Sequence, residues 1–369
     1  MTLAWLHTLS PFVLRLWDDV GIRWYGLAYL AGFGVAYLML RWLARRELIA
    51  IPYERVGDAL IWFIGGALIG GRLGYALVYD PSLFVKVSDH FPWWGLFAIN
   101  QGGMASHGGM VGVILAGLLV SRWGLKAPAP VREPLSPGSA FMHVCDVVAF
   151  ICPAGLFFGR LANFVNGELL GAIVAKPGEP APWWAVQYPQ ELDLWSADAH
   201  PAITSPGSQL VQTPEQWLRV LELGEKLAPS TSKEGLAEGV HRLAHEAWAH
   251  PELQSQLKTL VSSRHPSQLY QAAAEGLVLG AALWLVWARP RKPGVVGCWF
   301  LIIYGVLRIA TELIRLPDAQ FAEGRPLGLS RGQWLSVGMI AAGVVVLVYA
   351  VRRATPKLGG WRSARVRVP

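Results

Sequence analysis

FMHVCDVVAFICPAGLFFGRLANFVNGELLG, residues 141–171, opens as an apolar run and ends on an arginine, with Arg160 directly after LFFG. Asn163, Asn166 and Glu168 follow within the next eight residues. A guanidinium at membrane depth costs about 2.5–3.5 kcal/mol on insertion scales, so it implies a compensating anion or a function. The stretch therefore reads as a transmembrane helix that delivers polar chemistry to one membrane surface.

The rest of the chain supports that reading. Its 369 residues are 53% hydrophobic and only 15% charged, with 40 Gly and 18 Trp, as expected of packed membrane helices with aromatic anchors. Seven apolar windows, at about 24–43, 57–79, 104–121, 141–160, 267–288, 295–314 and 332–351, approach the length that crosses a hydrocarbon core. The expected fold is an all-α polytopic membrane protein of about seven transmembrane helices with an extracytoplasmic head. The expected divisions are an amphipathic interfacial segment (1–23), helices one to four (24–160), the head (161–266), helices five to seven (267–351) and a basic tail (352–369). No cleavable signal is visible, because Pro11 interrupts the first apolar stretch and the first basic residue is Arg15.

Arginine and lysine set the orientation. The connections after the first, third and fifth spans, with the C-terminal tail, hold sixteen, whereas the N-terminus and the alternate short loops hold six. The positive-inside rule then puts the N-terminus outside and the C-terminus in the cytoplasm. The net charge of +7 follows this asymmetry and gives no nucleic-acid signal.

With that topology, Arg72, Arg160 and Arg308 fall in the later halves of outward-running spans. Tyr25 and His107 fall at the outer starts of inward-running ones. A polar site open to the outer leaflet accounts for all five. In YGVLRIATELIRLPD, Arg308, Glu312 and Arg315 share a helix face at i, i+4 and i+7, with Tyr304 one turn earlier. A self-neutralising salt bridge is the structural alternative for Arg308 and Glu312. It explains Arg160 and Arg72 less well, because the spans carry few other carboxylates: Asp58 and Asp146 near inner ends, and Glu275 on the fifth span. Surplus arginine suits an anionic ligand, and a guanidinium holds a phosphate through two parallel hydrogen bonds. His107, among Ser106, Gly108 and Gly109, is a candidate base at neutral pH.

IRWYGLAY, GGRLGY, GMASHGGM, GRLANFVNGELLG, RHPSQLY and the YG–LR–TELIR–PD segment resemble the prolipoprotein diacylglyceryl transferase family in order and spacing. The resemblance covers nearly the whole chain except about 189–262. It implies transfer of the diacylglyceryl group of phosphatidylglycerol to the lipobox cysteine of a preprolipoprotein signal peptide, in the bacterial inner membrane, with release of glycerol phosphate. The family's important positions correspond to Tyr25, His107, Arg160, Asn163, Gly171, Tyr304, Arg308 and Glu312. The expected catalytic groups are His107, Arg160 and Arg308. The expected substrate-binding groups are Tyr25, Arg72, Asn163, Asn166, Glu168, Gly171, Tyr304, Glu312 and Arg315. No cofactor, metal or nucleic acid is expected. Other classes remain. A transporter for an anionic solute or lipid would use the same arginines but needs repeat-related broken helices. An intramembrane protease would need a catalytic serine or paired aspartates.

Three departures from the family pattern stand out: Ala162 and Gln271, where Gly and Glu are usual, and the polar insertion at 189–262. The insertion reads as helical. Thr213-Pro214-Glu215-Gln216 is an N-cap signature, and a second helical pattern runs over about 232–248. That second helix carries His241 and His245 at i, i+4, a metal-ligand spacing with no third ligand evident in sequence. Cys145, Cys152 and Cys298 lie inside spans without metal spacing and read as packing residues.

Overall fold

In a computed structural model, the described residues are 4–17, 20–89, 92–98, 102–129, 131–195, 213–230, 232–315 and 329–362. The chain is mostly helical. It is a multi-pass membrane protein of the all-α class, with six helices long and apolar enough to cross a bilayer among the described residues. These are α1 (Trp24–Arg45), α2 (Val56–Val78, extended by a one-turn lead-in from Tyr53), α4 (Pro137–Asn166), a composite fifth span (Ser267–Val286), α10 (Val295–Glu312) and α11 (Arg331–Arg352). The third expected span is α3, Ser106–Ser121, whose 16 residues fall short of the ~20 that cross a bilayer unaided.

The chain divides into two compact units. Residues 33–154, 279–303 and 340–369 form one of them. There α2 and α3 pack backbone to backbone. A Cβ on Gly70 would stand 2.4 Å from the Gly108 carbonyl oxygen, and one on Gly112 would stand 1.9 Å from that of Gly66. Small residues at one-turn spacing let membrane helices approach this closely, which is the structural reason for the glycines flanking Arg72 and His107. In the same unit Asp146 accepts hydrogen bonds from Gly294 N and Gly297 N, both at 2.7 Å, capping the start of α10.

Residues 1–32, 155–278 and 304–339 form the other unit, which holds the head. A small sheet of order β1-β5-β6-β4 is built from Trp5–Leu6, Val186–Gln187, Ser263–Arg264 and Ile173–Ala175. Strands of two or three residues carry no readable alternation, so they were not foreseen. The N-terminal segment, expected to be a single amphipathic stretch, instead adds a strand to this sheet. It then forms a hairpin of β2 (Phe12–Trp17) and β3 (Val20–Arg23). Backbone groups there are satisfied by pairing, while Val13, Leu14, Leu16 and Ile22 stay exposed.

The insertion is helical as expected: α5 (Pro214–Glu225), α6 (Lys233–His245) and α7 (Pro251–Leu260). Thr213 forms a capping box with Gln216. Pro251 is the first residue of α7. Leu192, Val220, Leu223, Val240, Leu243, Leu253 and Leu257 build a shared core with Leu6 of β1. The insertion is therefore part of the head's interior.

Candidate functional site

The helix α4 does not stop at Arg160. No helix breaker occurs until Gly167, so the helix continues to Asn166 and carries Arg160 and Asn163 on adjacent turns. It ends in a Schellman cap. Gly167 adopts φ +66°, its N–H donates to Phe164 O (3.1 Å), and Glu168 N–H donates to Asn163 O (2.9 Å). This reversal turns the Glu168 side chain back over the helix end. Its two oxygens accept from Asn163 Nδ2 (2.8 Å) and Asn166 Nδ2 (3.1 Å). Asn163 Nδ2 also donates to the Tyr25 hydroxyl at 3.3 Å. Tyr25, Asn163, Asn166 and Glu168 thus form one polar network, with Gln268 donating to the Glu168 carbonyl from the fifth span.

Arg160 points to that fifth span. Its Nε and Nη2 both approach Glu275 Oε2 at 2.9 Å, with Arg160 17% exposed and Glu275 fully buried. Glu275 lies in a π-helical stretch, Ala272–Val278, between α8 (Ser267–Gln271) and α9 (Leu279–Val286). Such bulges redirect side chains and gather at functional sites. The sequence shows Glu275 on the fifth span but not its pairing with Arg160, because the two lie 115 residues apart.

On α10 the expected Arg308–Glu312 pair is present, but the helix ends at Glu312 and Arg315 lies beyond it. Arg308 Nη2 meets Glu312 Oε2 at 3.0 Å, and Arg315 Nη1 lies 3.7 Å from the same oxygen. The Ser330 hydroxyl donates to Glu312 Oε1 at 3.2 Å. Two guanidiniums share one carboxylate, and the buried Arg308 Nη1 has no hydrogen-bond partner among the described residues. Tyr304 lies one turn before Arg308 on the same helix.

Gly171, expected among the substrate-binding groups, also has a packing reason to be glycine. A Cβ there would stand 2.2 Å from the His265 carbonyl oxygen. Its own carbonyl accepts from Arg264 Nη1 at 2.9 Å, and its backbone bridges that of Arg315. Arg264 is itself fully buried against Glu191, Nε to Oε2 at 2.6 Å, an ion pair that sequence reasoning missed. This frame ties the segment after α4 to the end of α10. His7, 1% exposed, donates from Nε2 to Phe164 O at 2.7 Å and steadies the same helix end. Burial pushes its imidazole down to about 4, the Phe164 hydrogen bond opposing.

Arg72 and His107 belong to the unit containing α2 and α3. Arg72, expected among the substrate-binding groups, is held by the backbone around it. Its five N–H groups are all taken by backbone carbonyls: Leu96 (2.8 Å), Gly102 (2.5 Å), Gly103 (2.9 Å), Gly95 (2.5 Å) and Ala98 (3.1 Å). A guanidinium has five donors, so none remains for a substrate phosphate. Arg72 holds the loop before α3. His107, on the first turn of α3, is exposed and lines an apolar groove of about 910 Å³ with Ile69, Leu73, Leu77, Val111 and Leu115.

The sequence matches the model of the prolipoprotein diacylglyceryl transferase family over residues 11–349. Proteins named phosphatidylglycerol–prolipoprotein diacylglyceryl transferase are similar along their whole lengths. The one from Bdellovibrio bacteriovorus is 39% identical over 97% of each chain. That from Methylibium petroleiphilum is 33% identical over 94% of this chain and 97% of its own, and that from Rhodospirillum rubrum is 35% identical over 94% of each. The motifs of 159–171, of α10 and of the segment before the fifth span lie inside this shared length, and the chain belongs to the prolipoprotein diacylglyceryl transferase family.

Proposed function

We propose that this protein transfers the diacylglyceryl group of phosphatidylglycerol to the lipobox cysteine thiol of preprolipoproteins in the bacterial inner membrane, its N-terminus outside and its C-terminus cytoplasmic. The observation that carries the reading beyond family membership is the Arg308–Glu312–Arg315 group. It has two guanidiniums on one carboxylate, and the buried Arg308 Nη1 has no hydrogen-bond partner among the described residues. A guanidinium donor held at the end of an apolar helix fits a phosphate.

In the reaction the substrate sulfur attacks the glycerol carbon that bears the phosphate ester. A C–S bond forms, the C–O bond breaks, and glycerol phosphate leaves with the electron pair. Arg160 and Arg308 stabilise the charge that grows on the departing phosphate, where preorganised donors act most strongly in a dry site. Glu275 and Glu312 hold those guanidiniums in one orientation. Tyr25, Asn163, Asn166 and Glu168 orient the substrate through their shared network, and Tyr304 lies beside Arg308 on the same face. An unperturbed thiol, with pKa of about 8.5, is mostly protonated at neutral pH, so a base aids thiolate formation. His107 is that base, a role resting on its imidazole and on the family resemblance.

The test incubates purified protein with phosphatidylglycerol and a lipobox peptide and measures glycerol phosphate and the thioether product. Wild type releases both in equal amounts, and Arg160→Ala releases neither while still inserting in the membrane. Full activity of Arg160→Ala removes the phosphate role. A wild-type pH profile for His107→Gln removes the base.

A further inference from the structure

The helical insertion holds a cluster that the transfer reaction does not use. Asp193, His241 and His245 each place a ligand atom within 4.8 Å of the other two. His245 Nε2 lies 2.6 Å from Asp193 Oδ2, and His241 Nδ1 lies 3.5 Å from Asp193 Oδ1. The two imidazole rings stand 4.5 Å apart on successive turns of α6. Asp193 lies on the 3-10 turn Pro189–Trp195, 48 residues before His241 in sequence, so the third ligand comes from a different element.

The backbone beneath this cluster is anchored by buried side chains. Leu192, next to Asp193, is fully buried in the core that also takes Leu243 and Ala244, two of the three residues between the two histidines. Glu191, one residue further back, is fixed by Arg264 and Ser262. The packing therefore presents the carboxylate and both imidazoles to one point. Burial does not require this convergence, because the His241 side chain is 61% exposed and free to turn to water.

We propose that Asp193, His241 and His245 bind one Zn²⁺ ion, which clips α6 to the turn before it. Two imidazoles and a carboxylate suit this borderline ion, and open positions on the exposed side take water. Bonds of about 2.0–2.2 Å hold tetrahedral donors ~3.4 Å apart, so the present 2.6 Å and 3.5 Å contacts need only side-chain adjustment. Binding displaces the proton shared by His245 and Asp193. The site resides in the insertion and does not depend on the reaction proposed above.

The experiment uses the full-length protein in detergent, stripped with a chelator and dialysed. Zn²⁺ alone is then titrated in competition with a chromogenic chelator, and the thermal midpoint is measured with and without the ion. Wild type takes one equivalent and its midpoint rises. His241→Ala and Asp193→Asn each weaken binding about 100-fold or more, since loss even of outer-shell partners costs about 10–100-fold. Both variants keep the wild-type midpoint when no zinc is present, which separates lost ligation from lost folding. No uptake by wild type, or an undiminished equivalent in either variant, overturns the proposal. A Co²⁺ complex whose visible absorption is the same in His241→Ala as in wild type also overturns it.

Discussion

The Arg160 guanidinium sets two nitrogens, each at 2.9 Å, on a single oxygen of the fully buried Glu275. A charge placed at the end of an apolar run thus has its counter-ion on another helix, in a π-helical stretch. Glu275 Oε1 has no hydrogen-bond partner among the described residues. The pair fixes where the guanidinium points, which matters more for chemistry than for stability, because desolvation offsets much of the attraction in buried pairs.

Removing Glu275 should separate these effects. Glu275→Ala leaves Arg160 uncompensated and should destabilise the protein by about 3–5 kcal/mol, read as a lowered unfolding midpoint. Glu275→Gln keeps the shape, and its transfer rate should fall about 100-fold through misaligned Arg160. Wild-type rates in Glu275→Gln would make Glu275 a charge balance and nothing more.

Arg308→Lys keeps the charge but loses the planar fork. Transfer should drop by about 10²–10³, as when a preorganised donor is lost at a developing anion. Glycerol phosphate release measures this, and a rate within twofold of wild type would count against Arg308 as a phosphate ligand.

Arg72→Ala should behave differently. It strands the carbonyls of Gly95, Leu96, Ala98, Gly102 and Gly103, each costing about 1–3 kcal/mol where water cannot replace the donor. The expected outcome is lower stability, read as a lowered unfolding midpoint, with an unchanged KM for phosphatidylglycerol in the folded fraction. A raised KM with normal stability would return Arg72 to the binding site.

His7 predicts an acid sensitivity. Its imidazole, held neutral by burial, falls from the ordinary 6.5 to about 4 in the folded protein. Between those values the unfolded chain takes up a proton that the folded one does not. The stabilisation is therefore fully present above 6.5 and is lost as pH drops towards 4, by about 3 kcal/mol in total. Thermal midpoints from pH 7.5 to 4.5 should fall less steeply in His7→Gln than in wild type.

Much of the membrane architecture was legible because hydropathy is a local property. Six apolar windows correspond to six crossing helices, and Arg308 and Glu312 pair at i, i+4, as a 3.6-residue period requires. The capping box at Thr213 was legible for the same reason: its partners lie three residues apart. Contacts between distant segments were not. Glu191 and Arg264 meet across 73 residues, and Asp193 reaches His245 across 52. Neither residue type nor spacing signals such a pairing. Arg72 looked like surplus charge because the backbone carbonyls that accept its hydrogen bonds are invisible in composition.

The sequence by itself determined that this chain crosses a membrane several times, which family it resembles and which side chains are candidates for its chemistry. Transfer free energy and helical period act over a few residues and leave their pattern in the letters. Only the tertiary structure decided what each charge answers to. It gave Arg160 to Glu275, turned Glu168 back onto Asn163, spent Arg72 on a loop and brought Asp193 to two histidines. Those outcomes depend on where a helix ends and which elements pack together, and the free energy that selects them is shared across the fold.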